Sequence, residues 1–184
     1  MKNIIAKKYL CFDAILEMIV TDNTNHSIFS QDHFAEMFGI TIPNDENISI
    51  RNVHYSSNTR EYGTTISVSV VNDFFRKNSI KLKLSFVQSN ILEEMTFNDF
   101  IKQNSKHAYI VFAYCYGILY NEPQNIDVGH VSLFESIDEK TDTFKIYDPG
   151  PRNSGSKIVK SDDMFAALKR RGGIYIFTKT NESL

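Results

Sequence analysis

A chain of 184 residues, 42% of them hydrophobic, has the length of one domain and can bury a core of ordinary extent. Its formal charge of −2 supplies no net positive field for phosphates, which argues against nucleic acid as a main partner. No run of ~18 apolar residues exists to span a membrane, the basic residues of 1–8 lead into no secretory signal, and two cysteines make no disulfide framework, so the expectation is a reduced, cytoplasmic protein.

From Cys11 to Val20, the residues Phe12, Ile15, Leu16, Ile19 and Val20 recur at helical spacing. Asp13 falls in the first turn, where the helix dipole favours negative charge, and the polar run from Thr21 to Asn25 predicts the end of the helix. Ser30 as N-cap and Gly39 as stop bound a short second helix. Residues 40 to about 62, rich in Asn and Ser, read as a long surface connection with at most one short strand. The spacing then predicts a helix from Thr64 to Arg76, with Ile66, Val70 and Phe74 on its inner side. Ile80 to Phe86 alternates strictly and reads as a half-buried strand, and Thr96 to Gln103 as a capped helix turning Phe97, Phe100 and Ile101 inward.

The last third is strand-rich. Ala108 to Tyr116 reads as a buried strand in which Cys115 is a small core residue. Val128 to Ser136 and Thr143 to Asp148 flank the turn Asp138-Glu139-Lys140-Thr141; Ser161 to Arg171 reads as a helix closed by Gly172-Gly173, and Ile174 to Phe177 as a final strand. Helices first and antiparallel strands later indicate an α+β fold, a single domain over 1–184 with a helical half packed on a sheet half.

Three residues in this order carry chemistry. Cys11 opens a helix, where unpaired N–H groups and the dipole favour a thiolate. His130 and Asp148 are each nine positions from Glu139, so an antiparallel hairpin centred there sets them opposite each other to within a register slip. Opposed side chains lie ~4.5–5.5 Å apart at Cβ, close enough for a carboxylate to accept the imidazole proton. The alternation agrees: Val128, His130, Ser132 and Phe134 share one face, and Phe144, Ile146 and Asp148 share a face of the partner strand. Thiolate, base and base-orienting carboxylate are the parts of a nucleophilic acyl-transfer site, with the Cys11 backbone N–H as an oxyanion donor.

Each residue alone has an ordinary explanation. A cysteine before an apolar helix is commonly buried and inert, a strand histidine is commonly structural, and Asp before Pro-Gly is turn chemistry. Order, helix-start position and hairpin opposition together favour catalysis. His26, His33, His54 and His107 are scattered without ligand spacing, so no metal site and no cofactor are expected. Gly172-Gly173 lacks the strand-glycine-helix order of a phosphate loop, and Lys169-Arg170-Arg171 reads as a charge cluster at a helix C-terminus. Tyr55, Tyr62, Tyr114, Tyr116 and Tyr120 could line a cleft, with packing the simpler reading.

The stretch Cys11-Phe12-Asp13-Ala14-Ile15-Leu16 resembles the nucleophile helix of papain-like cysteine peptidases, closest to the compact bacterial branch of bacteriocin-processing, double-glycine leader peptidases. The short helix from Gln31, Gly63-Thr64, the strand with Gly129-His130-Val131, the strand ending Tyr147-Asp148-Pro149-Gly150, and the final helix and strand follow that branch in order. The resemblance implies a papain-like α+β fold, with Cys11 as nucleophile, His130 as general base and acid, Asp148 as orienting residue, and a peptide or peptide-like substrate. A leader ending in Gly-Gly is a substrate by resemblance only. Two departures stand out. The glutamine usual about half a dozen residues before the cysteine is absent from Ile4-Ile5-Ala6-Lys7-Lys8, and the loss of one such donor typically lowers the rate ~10²–10³-fold. Phe12 occupies the position that is commonly small. The resulting readings are a thiol hydrolase of peptide or amide bonds, an acyl transferase using the same acyl-enzyme, and a non-catalytic binding module on the scaffold.

Overall fold

Alternation in the second half of the chain drives the architecture. In the computed structural model, which describes residues 1–126, 128–151, 154–170 and 172–180, the alternating segments join into one antiparallel six-stranded sheet. The first part comprises α1 (Cys11–Thr24), α2 (Gln31–Phe38), β1 (Ile40–Pro43), β2 (Val53–Ser56), β3 (Gly63–Thr64) and α3 (Val68–Lys77). Next come β4 (Leu82–Gln88), α4 (Glu94–Ser105), β5 (Ala108–Cys115) and the single turn α5 (Tyr116–Leu119). The last part comprises β6 (Gly129–Asp138), β7 (Thr143–Asp148), β8 (Gly155–Lys160), α6 (Ser161–Arg170) and β9 (Gly173–Lys179). The large sheet runs β4-β9-β5-β6-β7-β8, and β2-β1-β3 form a small separate sheet.

Both faces of the large sheet are apolar, because successive side chains point to opposite sides. On one face Leu82, Val111, Leu133 and Phe177 pack against Ile15 and Leu16 of α1, Phe34 of α2 and Phe75 of α3. On the other, Phe112, Phe144, Ile146 and Ile174 pack against Phe97 of α4 and Met164 and Leu168 of α6. Helix α1 thus lies on the sheet as expected, and a second helical layer covers the far side. Among the described residues no helix is long and apolar enough to cross a membrane.

Several boundaries differ from the sequence expectation. Helix α1 runs a turn beyond Val20 to Thr24 and ends at Asn25 with φ 57°. The polar residues there have partners, since Asp22 accepts from the Tyr109 hydroxyl of β5 at 2.7 Å and Thr24 donates back to the Val20 carbonyl of the same helix. Helix α2 is capped by Ser30, which accepts from the His33 N–H, and stops at Gly39, whose φ of 83° suits glycine. The stretch from residue 40 to 62 runs at the surface from residue 43 on, but it begins in the core and carries two strands. Ile40 and Ile42 are buried with Leu10 and Ala35, and β1 pairs in parallel with β2. Strands of four residues are too short to show a period. Helix α3 starts at Val68 rather than Thr64, which pairs with Ile40 in β3; Val71, Phe74 and Phe75 form its buried side while Val70 is exposed. Strand β8 was not anticipated, because an edge strand with lysines and an exposed Ile158 reads as polar surface. Arg171, the predicted end of the last helix, lies outside the described residues.

Candidate active site

Cys11 is the first residue of α1, preceded by Leu10 at the N-cap, whose side chain makes no capping bond. The first-turn N–H groups therefore have no side-chain cap from that position. Tyr9 enters with φ 69°, uncommon for a residue with a side chain, its ring against Tyr62 and its hydroxyl donating to Glu46 at 2.7 Å. The segment before it is clamped from two sides. Gln31 accepts from the Lys7 N–H at 2.8 Å and donates to the Ile5 carbonyl at 3.1 Å, and the Ala6 N–H donates to the Pro149 carbonyl at 2.7 Å. The last bond ties the approach to Cys11 directly to the turn that follows Asp148.

His130 and Asp148 meet at the end of the sheet, but not as directly opposed residues. Leu133 pairs with Tyr147 and Phe134 with Ile146, while Ser136 pairs with Lys145, so Glu135 is an extra residue in β6. Continued along the strand, this register sets Ser132 opposite Asp148 and His130 one diagonal step further on. The bulge keeps the faces matched. A flush pairing carried up from the turn would have set Asp148 against Leu133, on the opposite face from His130. His130 Nε2 lies 2.7 Å from Asp148 Oδ1, and the ring lines the same cleft as Cys11.

The carboxylate of Asp148 has a partner on every side. Oδ1 also accepts from the Gly150 N–H at 2.8 Å; Oδ2 accepts from the Tyr120 hydroxyl at 2.9 Å and from Lys157 Nζ at 2.8 Å. The aspartate therefore makes the turn bond read from Asp-Pro-Gly and holds the histidine as well. Burial opposes charge on both members of the pair, yet the bonds win. His130 is pushed up to about 9, because the hydrogen bonds to Asp148 and Cys11 outweigh the desolvation that lowers it. Asp148 is held well below the usual carboxylate range, since the imidazolium, Lys157 and the Gly150 N–H outweigh its burial. Near neutral pH the site holds an imidazolium on an ionised aspartate.

A cleft of about 230 Å³ opens over these groups. Cys11 and His130 line it with Phe12, Tyr62, Ile66, Phe86 and Tyr175, and backbone at Gly63, Gly129 and Gly172 narrows it. His130 is the one ionisable nitrogen base on its wall, and no Asp, Glu, Lys or Arg among the described residues lines it. Phe12 packs on Tyr175 with ring centroids 5.3 Å apart, so the bulky residue after the cysteine turns into the core and borders the cleft. A larger depression of about 710 Å³, between Ser105 and Ile137, lies away from Cys11, and Ser105 there donates its hydroxyl to the Lys102 carbonyl.

Of the other sequence candidates, His26, His33, His54 and His107 are exposed, and no group of three potential metal ligands gathers among the described residues. Cys115 is fully buried and donates to the Ile126 carbonyl. Lys169 donates to the Leu92 carbonyl at 2.7 Å. Tyr62 and Tyr114 do line the cleft; Tyr114 and Tyr116 set their rings edge-on to His130, while Tyr55 is exposed elsewhere. Two site neighbours, Tyr120 as a donor to Asp148 and Lys157, were not foreseen. Lys157 would have been visible only to a reading that made 155–160 a strand, with Lys157 on the same face as Gly155, the residue paired with Asp148.

No family model matches the chain, and no curated protein matches its sequence. Its fold does match a solved structure, a protein from Bacillus anthracis provisionally described as a C39-like peptidase. The two share 12% sequence identity with a TM-score of 0.62, over 97% of this chain and 94% of the other. The likeness is one of fold, and it shows that this chain shares the α+β architecture of that structure.

Proposed function

We propose that the chain is a papain-like thiol hydrolase, a single domain that cleaves a peptide or amide bond through Cys11, His130 and Asp148. The observation that carries this reading is the arrangement itself, with Cys11 at the start of α1 and His130 lining one largely apolar cleft and His130 Nε2 held 2.7 Å from Asp148. The imidazolium beside the sulfur favours a thiolate. That thiolate attacks the carbonyl carbon, and the developing oxyanion takes the Cys11 backbone N–H. The imidazolium gives its proton to the leaving amine, the C–N bond breaks, and a thioester remains on Cys11. Water then attacks the thioester while His130 takes its proton; the acid leaves and the thiolate–imidazolium pair returns. The fold neighbour's description supports a peptide substrate, and the cleft walls, apolar apart from His130, Thr64 and tyrosine hydroxyls, favour apolar residues beside the scissile bond.

One observation favours a non-catalytic binding module instead. The segment before Cys11 lacks the glutamine donor, its Lys7 and Lys8 are bonded to Asp32 and Glu46, and the nearby Gln31 has both ends of its amide bonded to the backbone of Ile5 and Lys7. Iodoacetamide labelling near neutral pH, with the adduct mapped, separates the two. Fast, selective modification of Cys11, lost in His130→Ala, is expected of the hydrolase. Labelling no faster than free cysteine overturns it. Product analysis with and without an added amine then distinguishes hydrolysis from acyl transfer.

A further inference from the structure

Asp148 lies between two cations that reach it from neighbouring strands. On β6, His130 is one diagonal step toward the end of the sheet and takes Oδ1. On β8, Asp148 is paired with Gly155, and Lys157 is one diagonal step toward the sheet interior and takes Oδ2 at 2.8 Å. The lysine is itself held. Its ammonium stands 4.5 Å from the centre of the Tyr120 ring, and the Tyr120 hydroxyl donates to the same Oδ2 at 2.9 Å. Asp148 is 1% exposed, so this is a buried ion pair with a second, competing ion pair on the other oxygen. The groups that face the couple among the described residues are Cys11 from α1, Tyr114 from β5, Tyr116 and Tyr120 from α5 and the residue after it, and Lys157 from β8.

We propose that Lys157 is a positioning residue for the His130–Asp148 couple: it fixes the carboxylate through Oδ2 so that only Oδ1 faces the imidazole, and it offsets part of the negative charge that the imidazole meets. An aspartate with no such partner would hold the imidazolium more tightly and release its proton less readily. Lys157 thereby tunes how easily His130 gives up the proton that a leaving amine must receive. The inference rests on the hydrolase reading for its purpose, though not for its test.

The test is an NMR titration of the His130 ring in the whole protein, in the wild type, Lys157→Met and Lys157→Arg. The wild-type midpoint is expected near 9. Removing the ammonium in K157M is expected to move it upward by ~1 pH unit, as loss of a nearby like charge does, and K157R is expected to restore it. Tyr120→Phe, which removes an Oδ2 donor but no charge, is expected to shift it less than K157M. A K157M midpoint that is unchanged or lower overturns the proposal, as a purely structural lysine would leave the midpoint in place. Should K157M not fold, Lys157→Gln serves the same comparison. Failure of wild-type Cys11 to label with iodoacetamide would remove the hydrolase reading alone, since the titration reads the Lys157–Asp148–His130 coupling without any reaction at sulfur.

Discussion

Gly150 stands so close to Asp148 that a Cβ there would lie 2.9 Å from Oδ1 and 3.7 Å from the His130 ring. The absence of that carbon lets one oxygen accept from both the Gly150 N–H and the imidazole. Gly150→Ala is expected to push the carboxylate off the ring and to slow Cys11 labelling, or turnover once a substrate is in hand, by about 10- to 100-fold, the usual effect of an ångström's misplacement. Global stability, followed by denaturant unfolding, should change far less. At this scale the sequence was partly legible. Asp-Pro-Gly announces a turn, and the turn bond is there. That the same oxygen also holds a histidine depends on a strand 18 residues away in sequence.

Between elements, the tie that matters next to Cys11 is between α1 and β3. Asp13 is fully buried two residues into α1; one carboxyl oxygen accepts from the Thr64 hydroxyl and the other has no hydrogen-bond partner. Burial raises its pKa to about 7, against the opposing Thr64 bond. As pH rises from about 4 to 7 the unfolded carboxyl ionises while the folded one keeps its proton, so unfolding gains. Asp13→Asn should therefore lose this decline. Urea unfolding at pH 5 and pH 8 is expected to show the variant gaining on the wild type with pH, by at most about 3 kcal/mol, since about two pH units of that interval lie below the folded value at 1.36 kcal/mol per unit. Its place in the first turn was visible, and the dipole argument for a negative charge there was sound. Burial reversed the outcome despite the bond from Thr64, which belongs to a two-residue strand and not to the helix its neighbours suggested. The hairpin shows the same limit. Counting from Glu139 gave the correct shared face for His130 and Asp148 but the wrong direct partner, since the turn is centred between Lys140 and Thr141; the extra residue at Glu135 is what restores the shared face.

Across the molecule, two cores hold one sheet, and the candidate site is at the sheet's end, away from the centre of either. Phe97 anchors the far layer, 2% exposed, with its ring against Phe112, Phe144 and Phe165. Phe97→Ala is expected to destabilise by ~3–5 kcal/mol through lost burial and the cavity left behind, measured by urea unfolding. Cys11 labelling in the molecules that remain folded should keep its rate, because α4 does not reach the cleft. The periodicities of 3.6 and 2 in this sequence determined, by themselves, the first helix, the long strands and the α+β class, because those patterns state which side of an element must leave water. They also put Cys11 at a helix start and His130 on the same face as Asp148. Only the tertiary structure decided the rest: the short strands after Gly39, the bulge, and the Tyr120 and Lys157 donors on Asp148. Each of these is fixed by a partner distant in sequence, and local propensity carries no record of which strand will lie alongside which.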